Sequence, residues 1–257
     1  MKQDELQDFL ELKYKLYNNT GFIALDPVSI PHRFSKRQDI EISAFLVATI
    51  AWGQRPTILK NSLRLLEWMD NSPYDFILNF KQNDLQPFRK FTHRTFNGID
   101  CIYFLKALKH LFKEFNTLEK AFLGSLNVAN HGIEFKILNF RNHFFAKPHQ
   151  IRTEKHLSNP SRNAACKRLN MFLRWMVRKD EAGVDFGIWN KISPAELMLP
   201  LDVHSGRVAR SLGLLNRKQD DWKAVTEVTH QLRKFDPADP VKYDFALFGI
   251  GINEKFS

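Results

Sequence analysis

The stretch Asp39-Ile40-Glu41-Ile42-Ser43-Ala44-Phe45-Leu46-Val47-Ala48-Thr49-Ile50-Ala51-Trp52-Gly53 is apolar on nearly every side of a helical projection. A helix without a solvated face has to be buried, so this segment predicts a central helix around which others pack. Asp39 suits an N-cap and Gly53 a stop. Working outward, apolar residues recur at helical spacing on both sides. A helix over 56–69 carries Ile58, Leu59, Leu63, Leu66 and Trp68. A short amphipathic helix over 3–16 carries Leu6, Phe9, Leu10, Leu12 and Leu16, and a long one over 98–115 runs from Ile99 to Phe115. Between the first helix and the central one, Pro27 and Pro31 forbid a continuous helix through 26–34. A shorter helix is expected over 117–126, and 127–160 is the least regular part of the chain. Helices resume at 162–178, 203–212, 221–234 and 240–250, separated by Ser158-Asn159-Pro160-Ser161 and Phe235-Asp236-Pro237-Ala238-Asp239-Pro240. No strand ladder and no internal repeat is apparent. The expected class is all-α: one helical domain over 1–257, long enough to form two subdomains around a cleft.

The 257 residues carry a formal net charge of +10, which favours polyanionic partners. Within 152–179 the imbalance is local: Arg152, Lys155, Arg162, Lys167, Arg168, Arg174, Arg178 and Lys179 stand against Glu154 alone. Phosphate binding is the simplest use of such a stretch; a solvated basic surface is the plainer one. No apolar run approaches the roughly 20 residues that span a bilayer. Met1-Lys2-Gln3-Asp4-Glu5-Leu6 lacks the apolar core of a signal peptide, so a soluble, cytoplasmic protein is expected. Cys101 and Cys166 match no metal-ligand spacing, and two cysteines cannot supply a four-cysteine iron–sulfur site. His32 with Asp26, Asp39 and Glu41 is a poor metal signature at its irregular spacing. No phosphate loop, nucleophile elbow or zinc motif occurs. Most of the 23 phenylalanines sit at helical spacing and read as core.

Two short segments carry chemistry. In Cys166-Lys167-Arg168-Leu169-Asn170-Met171-Phe172-Leu173-Arg174-Trp175-Met176-Val177-Arg178, the apolar Leu169, Phe172, Leu173, Met176 and Val177 share one helix face. Lys167, Arg174 and Arg178 share the opposite one. Lys167 falls in or near the first turn, where the helix dipole and neighbouring cations favour a neutral amine, the form required for nucleophilic attack. In Leu199-Pro200-Leu201-Asp202-Val203-His204-Ser205-Gly206-Arg207, Asp202 is placed to cap a basic helix. Capping and catalysis are compatible, because capping holds the carboxylate ionised and fixed. Residue types alone leave open an ordinary lysine on a basic stripe and a plain N-cap.

Most of the chain resembles a bacterial family of conserved hypothetical proteins, a domain of unknown function. The matching stretches include Asp26-Pro27 through Phe34, Ala51-Trp52-Gly53-Gln54-Arg55, Cys166 through Asp180, Val184 through Trp189, Pro200 through His204 and Asp239 through Leu247. The C-terminal third is also similar to the helix-hairpin-helix glycosylases of the endonuclease III and archaeal 8-oxoguanine type. Lys167 matches their nucleophilic lysine, and Leu201-Asp202-Val203-His204-Ser205-Gly206-Arg207-Val208 their aspartate-bearing stretch. Residues 39–55 are similar to their early buried helix, with Gln54 near the DNA minor groove. The usual glycine hairpin is replaced by Asn159-Pro160-Ser161-Arg162-Asn163. Glycines let backbone N–H groups approach a phosphate closely, so their loss weakens this mode of binding.

The resemblance implies a two-lobed helical fold and a DNA base-excision glycosylase, with or without AP-lyase activity, acting on a flipped damaged base such as an oxidised purine. Lys167 and Asp202 would be catalytic. Arg162, Arg168, Arg174, Arg207 and Arg210 would hold phosphates of double-stranded DNA, with Gln54 and His204 also in contact. No cofactor or metal is expected. The alternatives are a non-catalytic nucleic-acid-binding protein of the same fold and a helical protein-interaction scaffold.

Overall fold

Residues 37–50 form the expected buried helix, and every side chain from Ile40 to Ile50 is out of solvent. The computed structural model describes residues 2–124 and 131–254 and divides the chain into two compact units. Unit 1 comprises Met1–Ala24 and Asn159–Ser257; unit 2 comprises Leu25–Ser158. The chain is mostly helical, with twelve α-helices among the described residues.

In unit 2 the central helix, α3 (Arg37–Ile50), follows α1 (Gln3–Tyr17) and α2 (Thr20–Leu25) in the chain. Lys36 takes the N-cap position instead of Asp39, which lies in the first turn and accepts the Tyr74 backbone N–H at 2.8 Å. The polar groups α3 buries are satisfied locally. Ser43 and Thr49 hydroxyls donate to the carbonyls of Asp39 (2.7 Å) and Phe45 (2.8 Å), and Glu41 accepts from Leu118 N–H at 2.9 Å. The helix ends at Ile50, three residues before Gly53. The rest of the unit's helices are α4 (Arg55–Glu67), α5 (Pro73–Asn79), α6 (Gly98–Phe115), α7 (Leu118–Leu123) and α8 (Ile133–Phe144). The phenylalanines are core: Phe45 meets Phe104, Phe140 and Phe144 at ring separations of 6.0, 5.5 and 5.6 Å.

Unit 1 contains α1, α9 (Lys167–Val177), α10 (Val203–Ser211), α11 (Trp222–Phe235) and α12 (Asp244–Asn253), with α1 and α10 both packed on α12. The α1–α12 approach depends on Gly249, where a Cβ would come within 2.2 Å of the Tyr17 ring. Lys13 and Glu254 close the same junction with an ion pair at 2.7 Å.

Several boundaries differ from expectation; the last helix, expected over 240–250, is a 3₁₀ turn over Pro240–Tyr243 followed by α12 from Asp244. The irregular region contains α8, whose Ile133, Ile137, Phe140 and Phe144 face inward; buried Lys136 and Arg141 mask that pattern in the sequence. The helix expected from 162 begins only at Lys167, after a 3₁₀ turn over Pro160–Arg162. The 117–126 helix is α7, with Ser125 and Leu126 outside the described residues, as are residues 127–130. A two-residue antiparallel hairpin pairs β1 (Thr92–His93) with β2 (Phe96–Asn97), too short for periodicity to reveal. Among the described residues no helix is long and apolar enough to cross a membrane.

Candidate functional site

The start of α9 is set by backbone conformation. Asn163 and Cys166 both adopt left-handed φ, +59° and +52°, on either side of Ala164 and Ala165. The turn has no glycine, yet it makes the two left-handed steps that glycine usually makes. It is fastened to the N-terminus of α11: Asn163 Nδ2 donates to Asp221 Oδ2 at 2.8 Å, and the Trp222 N–H donates to the Asn163 carbonyl at 3.1 Å. A hydrogen-bonded pair with Arg217 holds the Asp221 carboxyl well below the usual carboxylate range.

Lys167 is the first residue of α9, and the chain brings Asp202 to it across 35 positions (167 to 202). The two oxygens of Asp202 divide the work. Oδ1 caps α10, accepting the N–H groups of His204 at 2.9 Å and Ser205 at 3.0 Å, with the Ser205 hydroxyl at 3.2 Å. Oδ2 lies 3.7 Å from Lys167 Nζ. The cap fixes the carboxylate on one side and leaves the other oxygen facing the amine. Both side chains keep partial solvent access, 29% for Lys167 and 21% for Asp202. An amine and a carboxylate so arranged can exchange a proton, and the carboxylate can stabilise a cation formed at the amine nitrogen.

Further along α9 the structure corrects the sequence reading. Lys167 and Arg174 are seven residues apart on one stripe, but the stripe points inward below its first residue. Arg174 is 4% exposed; its guanidinium is held by Asp185 at 3.2 Å and by a short contact to Asp244. Arg178, 1% exposed, meets Asp185 at 3.2 Å, Asp239 at 2.8 Å, Asp180 at 2.5 Å and the Tyr14 hydroxyl at 2.7 Å. Neither guanidinium is presented to a phosphate, and neither makes the surroundings of Lys167 cationic. The reason is invisible in 152–179, because the compensating carboxylates come from after Lys179. Arg152 is likewise engaged, with Asp100 at 2.7 Å in unit 2.

Asp244, at the first turn of α12 and 6% exposed, is the site residue that sequence reasoning missed. Burial pushes its carboxyl up to about 6, opposed by Arg174 and Lys167 and reinforced by Asp202 and Asp185. It is therefore electrostatically coupled to both members of the Lys167–Asp202 pair. Asp185 is raised by burial against the pull of the two arginines. The available signal is the run Asp239-Pro240-Val241-Lys242-Tyr243-Asp244, which carries the family resemblance but assigns Asp244 no role.

The remaining expected contacts are spread out. Arg162, His204 and Arg207 are exposed. Arg207 donates to the Gly251 carbonyl at 3.0 Å. Arg168 is partly exposed, and burial of its guanidinium pushes its pKa down to about 10. Arg210 braces the loop after α10, donating to the carbonyls of Arg217 (2.8 Å) and Lys218 (3.0 Å) and pairing with Asp220 (2.6 Å). Gln54 belongs to unit 2, exposed at the N-cap of α4. No group of three or more potential metal ligands occurs among the described residues, and both cysteines are buried and outside any disulfide.

Fold and site thus define a mostly helical protein with an amine–carboxylate pair coupled to a buried acid. A family model described as a protein of unknown function (DUF2400) matches residues 26–253, and the chain belongs to that family. Neither the curated proteins nor the solved structures yield a match.

Proposed function

We propose that the chain is a DNA base-excision glycosylase with Lys167 as nucleophile and Asp202 as its carboxylate partner. The observation that supports this best is the approach of Asp202 Oδ2 to Lys167 Nζ at 3.7 Å while Oδ1 stays committed to the α10 cap. A base inside a duplex stack presents its glycosidic bond to no side chain, so the substrate nucleotide is flipped out first. Asp202 takes a proton from the Lys167 ammonium. The neutral amine then attacks the sugar C1′, and the C1′–N bond breaks with its electron pair leaving on the base. The base acquires the proton that the amine nitrogen gave up. The C1′–O4′ bond then breaks with its electron pair on O4′, which takes the second proton released by the amine nitrogen, and the result is a protonated imine between Lys167 and C1′, a cation facing Asp202. Loss of a C2′ proton then expels the 3′ phosphate and cuts the strand, the AP-lyase outcome. On this reading exposed Arg162 and Arg207 contribute to phosphate binding, whereas the buried guanidinium of Arg168 does not.

Borohydride reduction of the imine tests the reading. Incubation with duplexes carrying oxidised, deaminated or alkylated bases, or an abasic site, should leave a covalent protein–DNA adduct in the unaltered chain. Lys167→Gln should abolish it with the fold intact. Adduct formation that survives this substitution would move the nucleophile elsewhere.

The second reading, a nucleic-acid-binding protein without chemistry, is favoured by the turn before α9, whose Asn163 side chain is tied to α11. On that reading duplex binding persists and no lesion yields an adduct.

A further inference from the structure

Unit 2 carries a basic surface that the Lys167–Asp202 site does not use. Residues 42–66 and 85–99 contain no aspartate or glutamate, and they contribute Arg55, Lys60 and Arg64, and Arg89, Lys90 and Arg94. The fold brings these two stretches together. His93, buried in the strand pair next to the turn, has Nδ1 2.8 Å from the Asn61 amide of α4 and Nε2 3.0 Å from the Trp52 carbonyl. A nitrogen against a carbonyl must be the donor, so Nε2–H donates to Trp52 and Nδ1 accepts from Asn61. One neutral imidazole thereby clamps the hairpin to both α4 and the loop after α3. Arg64 reaches across the same junction, 5.2 Å from the centre of the Phe91 ring.

Arg94 is the unexpected residue. It is the first of the two residues linking β1 and β2, and its φ is +54°. Tight hairpins favour glycine or asparagine where φ is positive, because a side chain's Cβ is crowded by the backbone there. Arginine accepts that strain and is exposed at the tip, its guanidinium laid on the Trp52 ring at 5.1 Å. The neighbouring loop yields to it. Gly53 has φ +108°, and a Cβ there would lie 2.7 Å from Arg94 Nη1. Exposed Gln54 follows directly. Non-glycine residues held at positive φ concentrate where a side chain has a task beyond the turn.

We propose that the 51–55 loop and the 92–97 hairpin of unit 2 form a second contact surface for double-stranded DNA, with Arg94, held over the Trp52 ring, as its phosphate- and groove-facing cation. The inference rests on the glycosylase reading for the identity of the polyanion. Its own support is the absence of acids from the two stretches and the strained, exposed arginine. A guanidinium already held over an indole by a cation–π contact loses less freedom on binding, and arginine is the side chain that narrow, electronegative grooves attract.

The test is fluorescence anisotropy with an undamaged duplex over a salt series. The proteins are the unaltered chain, Arg94→Gly, the combination Arg89→Ala/Lys90→Ala/Arg94→Gly, Trp52→Leu, and Lys120→Ala as a control for bulk charge. Arg94→Gly relieves the backbone, so its thermal midpoint should hold or rise. Its plot of log affinity against log salt should flatten by about 0.9 for each phosphate that the variant no longer neutralises. The triple substitution should flatten it further, and Trp52→Leu should weaken binding in part by releasing Arg94. Equal effects from Lys120→Ala, or wild-type slopes in both Arg94 variants, would overturn the proposal. Adduct formation with wild-type binding slopes in those variants would overturn this surface alone. An unaltered chain that binds no duplex would overturn it together with the glycosylase reading.

Discussion

On the glycosylase reading, Asp202→Asn separates catalysis from folding. The cap itself survives, because Oδ1 receives the His204 and Ser205 N–H groups at 2.9 and 3.0 Å and an asparagine oxygen can accept both. What disappears is the charge opposite Lys167 at 3.7 Å, between side chains 29% and 21% exposed. Ion pairs that open to solvent contribute about 0.2–1 kcal/mol. For a chain of this size 1 kcal/mol moves the thermal midpoint by roughly 2–4 °C, so the variant should melt within about 4 °C of the unaltered protein. The chemical step should suffer far more, because a fixed charge facing a cationic transition state is removed; the expected loss is about 10²–10³ in rate. Asp202→Ala should lose similar activity and also the cap, a further cost of about 0.5–2 kcal/mol. Thermal unfolding read beside single-turnover adduct formation on a trapped lesion gives both quantities. An Asp202→Asn protein that forms adduct at the wild-type rate would refute the reasoning and leave Asp202 as a helix cap.

Arg178→Met should cost about 3–5 kcal/mol in denaturant unfolding, since it leaves Asp180, Asp185 and Asp239 facing one another without their shared cation. Wild-type stability in that variant would mean that these carboxylates are relieved by water or protons. Gly249→Ala should destabilise unit 1 by about 1–3 kcal/mol, because the new methyl meets the Tyr17 ring; Tyr17→Ala in the same chain should recover part of that loss. For Asp244 the folded carboxyl sits at about 6 against 3.8 ordinarily, so the folded state binds the extra proton between those values. Its contribution to stability is therefore greatest below about pH 4 and is lost as pH rises through about 6. The stability of the unaltered chain minus that of Asp244→Asn should fall across that interval by an amount on the order of 3 kcal/mol; a flat difference would show that Asp244 titrates normally.

Much of the helical layout is legible in the sequence because burial imposes a period. The helix over 98–115 matches α6 at both ends, and the all-round apolar segment is the buried α3. Legibility fails where polar residues enter the core or where turns set the boundary. Lys136 and Arg141 break the visible stripe of α8, although Ile133, Ile137, Phe140 and Phe144 keep helical spacing. The left-handed step at Cys166 shortens α9 to a start at Lys167, and no local rule assigns that conformation to cysteine. The Lys167–Asp202 approach follows from the resemblance alone, since periodicity gives faces and not distances. Arg174 misleads because a helical wheel shows that a face is polar without showing whether the partners are phosphates, water or carboxylates. Asp244 stays without a role for the same reason: its meaning comes from Arg174, Asp202 and Lys167, all distant in sequence.

The distribution of charge bears on the proposed chemistry more than the total does. Along the polar stripe of α9, three cations (Lys167, Arg174 and Arg178) are matched by five carboxylates (Asp180, Asp185, Asp202, Asp239 and Asp244). A chain of net charge +10 thus lines the inner side of α9 with an acid excess, of which Asp202 and buried Asp244 are the members coupled to Lys167. A cationic site would attract the polyanion but oppose the protonated imine that follows attack. An acid-rich one does the reverse, favouring the positive sugar at the cost of repelling phosphates. The two demands are compatible only if attraction and chemistry use different surfaces. Exposed cations such as Arg162, Arg207 and Arg94 can provide the attraction through long-range fields and counterion release. The buried carboxylates then act at short range, where a low-dielectric interior strengthens them. On this argument the arginines of α9 are structural counter-ions that hold the acids in place. Replacing Arg174 should disturb Asp244 and the folding of unit 1 before it disturbs the salt dependence of DNA binding.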